Sequence, residues 1–401
     1  LLEDVECEKI VEISIKESER DFHSLTEKRP FNGLVKTDPA RALLALVIEG
    51  KKGNYPVFLW RALLNNWPSD VPPSLFRVYI LRVCRLPSNV VVDMRHDVSR
   101  WIRENLSRLY DFDNDLAVNF YDCVVDVFFK DGEEASRSAI DSTSRNGKEL
   151  ASRKTVDHAI NSPFGHLAMA MINLFSSRKG EEGNGIPDYI KSRLDKIIEA
   201  PGEGGAHVKC ILCKRLGWLS YVDSRWTRET VLPWFEIDNA NENAEAAWNG
   251  YLSSPNLPPQ WAGWKIKPSF IKLFSVYEDW GWGEHIKGVV AQLVVVLATF
   301  RKQHPDGLSP REARACLRQM SEQGRASAVR HLCAIGNANE DGWIKYVVPF
   351  VEGVWPKEKR FRTSFMSSAW MGLLGDSGDN FLDVFPVVLK NLVPINSNDY
   401  W

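Results

Sequence analysis

Apolar residues recur at three- and four-residue spacing from one end of this chain to the other. Short Pro, Gly, Asn or Asp punctuation interrupts them every ~10–18 residues, a pattern that dictates helices. Strict alternation hardly exceeds four residues anywhere, so a sheet has no basis in the sequence. The expected fold is all-α. Asp38-Pro39 supplies an N-cap and a proline at the first helical position. Leu43, Leu44, Val47 and Ile48 then fall on one face, and Gly50 closes the helix. Tyr55-Pro56 opens a second helix, with Phe58, Leu59, Ala62 and Leu63 toward the same core, and Trp67-Pro68 closes it. A third runs from Pro73 to Leu86. The same pattern predicts helices at 93–110, 114–130, 150–160, 164–177, 187–199, 205–217, 224–235, 241–253, 267–279, 284–303, 309–323, 325–336, 340–353, 359–373 and 379–391. Alternate helices recur at about 40 residues, the period of HEAT and armadillo helix pairs. The expected architecture is an α-solenoid of helix-pair repeats, with a compact multi-helix bundle as the alternative. Polar stretches and a Pro- and Trp-rich joint divide it into repeats at 1–130, a loop at 131–149, and further repeats at 150–260 and 261–401.

With 401 residues, 44% of them hydrophobic, the chain has ample material for a large core. Fifty Lys and Arg against 52 Asp and Glu leave a formal charge of -2, which removes the excess a dedicated phosphate-backbone binder needs. Nucleic acid is therefore an unlikely partner. The longest uncharged apolar stretch, Gly288 to Phe300, runs into Arg301 and Lys302 and is too short to span a bilayer. No membrane association is expected. The first segment, LLEDVECEKIVEISIKESER, is acidic and amphipathic and carries no initiator Met, so the chain reads as a fragment of a longer protein with no signal peptide. Seven scattered cysteines argue against a disulfide framework and for a reducing cytoplasm.

Chemistry-bearing constellations are few. His207, Cys210 and Cys213 in HVKCILC share a spacing that suits zinc, but no fourth ligand stands at short range, so they read as core residues. His158 and His166 flank Ser162-Pro163, and Cys123 offers a thiol. No GxSxG elbow or orienting carboxylate accompanies them, so Ser162 reads as a helix cap. Glycine-rich GEGGAHVK and WGWGEH lack the order of a phosphate loop, and the acidic runs lack the register of a calcium loop. No catalytic residue, cofactor or metal is assigned. A hydrolase or nucleotide-handling enzyme with an all-α active site around His158, His166 and the 130–148 loop stays open as an alternative. Positive charge gathers at 301–330, with seven Lys or Arg against three acids, and again in KEKRFR at 357–362. A nucleic-acid-binding solenoid is the third reading.

Fifteen Trp, 19 Phe and 10 Tyr are the most unusual feature of the composition. Trp248 and Tyr251 should share a helix face. Trp261, Trp264, Trp280 and Trp282 lie in segments rich in Pro and Gly, where a large ring either plugs a gap between repeats or anchors a partner. Arg311, Arg314 and Arg318 form a stripe at i, i+3 and i+7. These seven are the candidate partner-binding residues.

The segment VLPWFEIDNANENAEAAWNGYLSSPNLPPQWAGWKIKPSFIKLF (231–274) resembles the C-terminal helical region of bacterial anti-phage defence proteins whose N-terminal part is a sirtuin-like, NAD-consuming domain. The features are the Leu-Pro-Trp-Phe helix end, the Ala-Ala-Trp-x-Gly-Tyr-Leu helix and the Pro-rich joint after it. Residues 38–67 are similar in manner. The resemblance implies a helical sensor that recognises a phage component or holds an effector inactive. The enzymatic half has no counterpart here: neither a strand-linked glycine fingerprint nor an Asn-His pair is present. The expected function is a non-catalytic scaffold that binds protein, able to oligomerise.

Overall fold

The computed structural model describes residues 2, 5–20, 30–140, 144–145, 148–149, 152–178, 181–238, 242–254, 265–303 and 307–394. Among them the elements are helices, apart from a two-residue antiparallel pairing of Ser144–Arg145 with Lys148–Glu149. The fold is all-α. Contacts group the chain into two units, residues 1–141 with 157–211, and residues 142–156 with 212–401.

In the first unit, local chemistry sets the helix boundaries. Asp38 caps the Pro39–Lys51 helix by accepting from the Arg41 N–H at 3.0 Å, and Pro39 fills the first turn. The helix runs through Gly50 to Lys51, and the left-handed turn falls at Gly53, with φ of 80°. Its inner face is Ala42, Leu43, Ala45 and Leu46, while Leu44 stands 51% exposed, so the apolar stripe expected from the sequence is rotated. The next helix, Val57–Asn66, likewise buries Leu59, Trp60, Leu63 and Leu64 and leaves Phe58 and Ala62 partly open. Val57 to Trp60 and Leu63-Leu64 are apolar nearly all round, so periodicity alone does not select the buried face.

The centre of this unit is the packing of the Arg95–Phe112 helix against the Pro163–Ser176 helix. Ser162 caps the second of these, its hydroxyl accepting from the Gly165 N–H at 3.0 Å with Pro163 in the first turn. A side chain at Gly165 would place its Cβ 1.8 Å from the Ala159 carbonyl oxygen, so this close passage of backbone requires glycine. Trp101 meets Phe76, Tyr79 and Phe120 at ring separations of 5.7–5.9 Å, building an aromatic interior between helices.

In the second unit the core gathers around Trp248. Its indole N–H donates to the Phe235 carbonyl at 3.0 Å, and Tyr251 shares its face as the spacing predicts, with ring centroids 6.2 Å apart. Helix Glu284–Thr299 packs on Glu322–Ala338, which packs in turn on Ser364–Asp376, and that on Phe381–Leu389. Several expected boundaries move. The segment at 309–323 ends as a helix at Gln319: Met320 turns extended, and Ser321 caps the next helix by accepting from Gly324 N–H. The segment at 359–373 divides into a 3-10 turn, Lys359–Phe361, and the Ser364–Asp376 helix, which Thr363 caps through the Met366 N–H at 3.1 Å. At 150–160 only Val156–Ile160 is helical among the described residues.

Candidate functional site

The Phe381–Leu389 helix, FLDVFPVVL, carries one charged residue in nine. Val384, Val387 and Val388 are buried against the neighbouring helices. That burial uses one face. On the other stand Leu382, 82% exposed, with Phe381, Phe385 and Leu389 also exposed. Phe381 and Phe385 stack with centroids 5.4 Å apart and 19° between their planes. Pro386 inside the helix has no N–H to give to the Leu382 carbonyl four residues earlier. Phe365 and Met371, on the Ser364–Asp376 helix packed beside it, are exposed as well. Single exposed apolar residues are ordinary; a helix with a second apolar face that no described residue covers is a candidate interaction surface.

A cleft of about 500 Å³ adjoins the C-terminal end of this helix. Lys357, Arg362 and Lys390 line it against a single acid, Glu352, with Val351 and Val387 forming its apolar wall. The Arg362 guanidinium donates to the Lys357 carbonyl at 3.0 Å, which fixes the turn that carries both cations. The surface thus pairs an apolar ridge with a positive edge.

The arginine stripe is mostly turned to internal use. Arg314 donates to the Val354 carbonyl at 3.2 Å and to the Gly353 carbonyl, satisfying the end of the Val348–Gly353 helix. Arg318 pairs with Glu358 at 2.6 Å. Arg311 is exposed and has no side-chain partner among the described residues. In KEKRFR, Phe361 is buried, with the guanidinium carbons of Arg325 and Arg360 each 4.7 Å from its ring centroid. Trp282 is buried at 3% exposure, with Trp280 partly open beside it, centroids 4.9 Å apart. Trp261 and Trp264 lie outside the described residues.

The groups singled out for catalysis are enclosed. His166 Nδ1 lies 3.0 Å from the Ser99 hydroxyl, and both residues are buried. Burial, aided by the positive charges of Arg103 and Arg100, lowers the His166 pKa to about 3, so the ring is neutral at physiological pH. Ser162 is spent as a helix cap, and His158 is buried. Cys123 donates to the Cys84 carbonyl at 3.6 Å, and the neighbouring Cys84 thiol lowers its pKa. His207, Cys210 and Cys213 are all fully buried on the Gly204–Lys214 helix. Among the described residues no group of three or more His, Cys, Asp or Glu side chains is placed to hold a metal ion, and no helix is long and apolar enough to cross a membrane.

The exposed ridge was missed in the sequence, although its signal is present. FLDVFPVVL is apolar on all sides, which reads as core until the neighbours are known to cover one face alone. Comparison of the chain with protein-family models, curated proteins and solved structures finds no match.

Proposed function

We propose that this chain is a non-catalytic helical scaffold that binds another protein through the exposed face of the Phe381–Leu389 helix. The single observation that carries this reading is the exposed Phe381, Leu382, Phe385 and Leu389 on a helix whose opposite side is already packed. An apolar ridge of this kind gains free energy only when a partner covers it, and the cations of the adjoining cleft give that partner an orientation. Trp280, half-open beside buried Trp282, and Arg311 are secondary contacts in this reading. We assign the helices to HEAT- or armadillo-like pairs; the stepwise packing of 284–299, 322–338, 364–376 and 381–389 supports that assignment. The resemblance of 231–274 to sirtuin-associated defence proteins supports a role as the sensor or regulatory region of an anti-phage protein. The scatter of seven cysteines along the chain, mostly within apolar helical patterns, supports a reducing cytoplasm as its compartment.

The test is quantitative capture from phage-infected and uninfected cells with the wild-type chain and the Leu382→Glu/Phe385→Glu variant. The reading expects one or a few proteins enriched by the wild type and lost by the variant. Equal recovery by both would contradict it.

A further inference from the structure

In the first unit a separate cavity of about 140 Å³ opens between the end of the Pro39–Lys51 helix, the Val57–Asn66 helix and the end of the Pro73–Val83 helix. A single water requires roughly 10–15 Å³ on this scale, so the space suits a small molecule's head group. Lys51, Arg82 and Arg85 line it, and no carboxylate does. None of the three has a side-chain partner among the described residues. Nearby arginines contrast with them: Arg77 pairs with Asp113 at 2.9 Å and Arg61 with Asp97 at 3.3 Å. The closest acid in sequence, Glu49, is held by Lys52 at 2.6 Å and by the Asn54 side chain at 3.1 Å.

Cations in the last turn of a helix are favoured by its carbonyl end, which explains why Lys51 and Arg82 occur where they do. It does not explain the cavity's inner wall. Trp60 lines the cavity at 2% exposure, so its ring forms that wall. The approach of the Tyr55 ring also depends on Gly50, because a Cβ there would lie 3.0 Å from a ring carbon. Three unpaired cations and an apolar wall from Trp60, Leu46 and Leu86 define a receptor for an oxyanion.

We infer that this cavity binds a phosphoryl group, free or as a small phosphomonoester, held by Lys51, Arg82 and Arg85. Arginine matches phosphate oxygens with two parallel N–H bonds, and the tetrahedral anion offers enough acceptors for all three groups. The site lies apart from the 381–389 surface and does not rest on the protein-binding reading.

The test is titration of the full chain with inorganic phosphate and, in parallel, glycerol 3-phosphate, at constant ionic strength. Calorimetry reads affinity, and the Trp60 indole N–H resonance, assigned with Trp60→Phe, reads location. The expected result is saturable one-to-one binding that shifts the Trp60 signal and weakens at least about tenfold in Arg82→Gln/Arg85→Gln. Circular dichroism checks that the variant stays folded, as substitutions at solvent-facing side chains permit. Tighter binding of the ester shows that the ligand carbon uses the apolar wall, and equal binding shows recognition of the anion alone; both uphold the site. Absence of saturable binding by either anion, or equal affinity in the double variant, overturns it.

Discussion

The Arg318 guanidinium nitrogen Nε stands 2.6 Å from the Glu358 carboxylate, joining the Pro310–Gln319 helix to the segment that follows the Val348–Gly353 helix. Together with Arg314 on the preceding turn, it makes the arginine stripe a brace within the second unit. The stripe's periodicity therefore serves packing first, and its binding capacity falls to Arg311.

The three arginines should consequently differ in their effect on stability. Arg314→Ala removes donors from the Val354 and Gly353 carbonyls and should cost about 1–2 kcal/mol. Arg318→Ala breaks a half-exposed ion pair and should cost at most ~1 kcal/mol. Arg311→Ala should stay within about 0.5 kcal/mol of the wild type. Urea unfolding of the three variants checks the order, and equal losses would show that the brace is not structural.

Gly165 gives a sharper prediction. Gly165→Ala adds one methyl group 1.8 Å from the Ala159 carbonyl oxygen, where backbone must shift to admit it. The first turn of the Pro163–Ser176 helix would have to move off the Ala159 carbonyl. A loss of roughly 3 kcal/mol is expected, and thermal unfolding measures it. Gly372→Ala, inside the Ser364–Asp376 helix where nothing lies near the added carbon, serves as the control and should stabilise by about 0.5–1 kcal/mol.

His166 sets a pH dependence. Its native pKa of about 3 lies below the ordinary histidine value, so between pH 6.5 and 3 the unfolded chain binds a proton that the folded chain refuses. The stabilisation is complete above pH 6.5 and is lost progressively as pH falls toward 3. His96, lowered to about 4 mainly by burial, adds to the same slope. Replacing His166 by Gln should flatten the decline of the urea midpoint between pH 7 and pH 4; an unchanged slope would show that the buried ring is not its source.

Much of the fold was legible because it is written in local chemistry. Asp38-Pro39 and Ser162-Pro163 each combine a capping oxygen with a proline that suits a first turn, and both helices begin there. Boundaries failed where apolar spacing runs on across a break. Ser321 looks like one more polar residue inside a helix, yet it caps a new one, because Met320 has already turned extended. Facial assignment failed where a segment is apolar on every side. Leu44 points outward and Leu46 inward, and only the neighbouring helices decide which. The same ambiguity hid the candidate site: Phe381, Leu382, Phe385 and Leu389 read as core alongside Val384, Val387 and Val388. Of the tryptophans whose Gly- and Pro-rich surroundings suit either a plug or an anchor, Trp282 is folded inward.

The central claim is that the outer face of the 381–389 helix receives a protein. Site-specific photo-crosslinking tests it most directly, with a benzophenone amino acid at Leu382 and, as control, at Leu44, also exposed, in the other unit. The account predicts a discrete covalent adduct in phage-challenged cells from position 382 alone, abolished when Phe385 and Leu389 are both changed to Glu. The same adducts from both positions, or none from 382 with the chain folded and abundant, would contradict it.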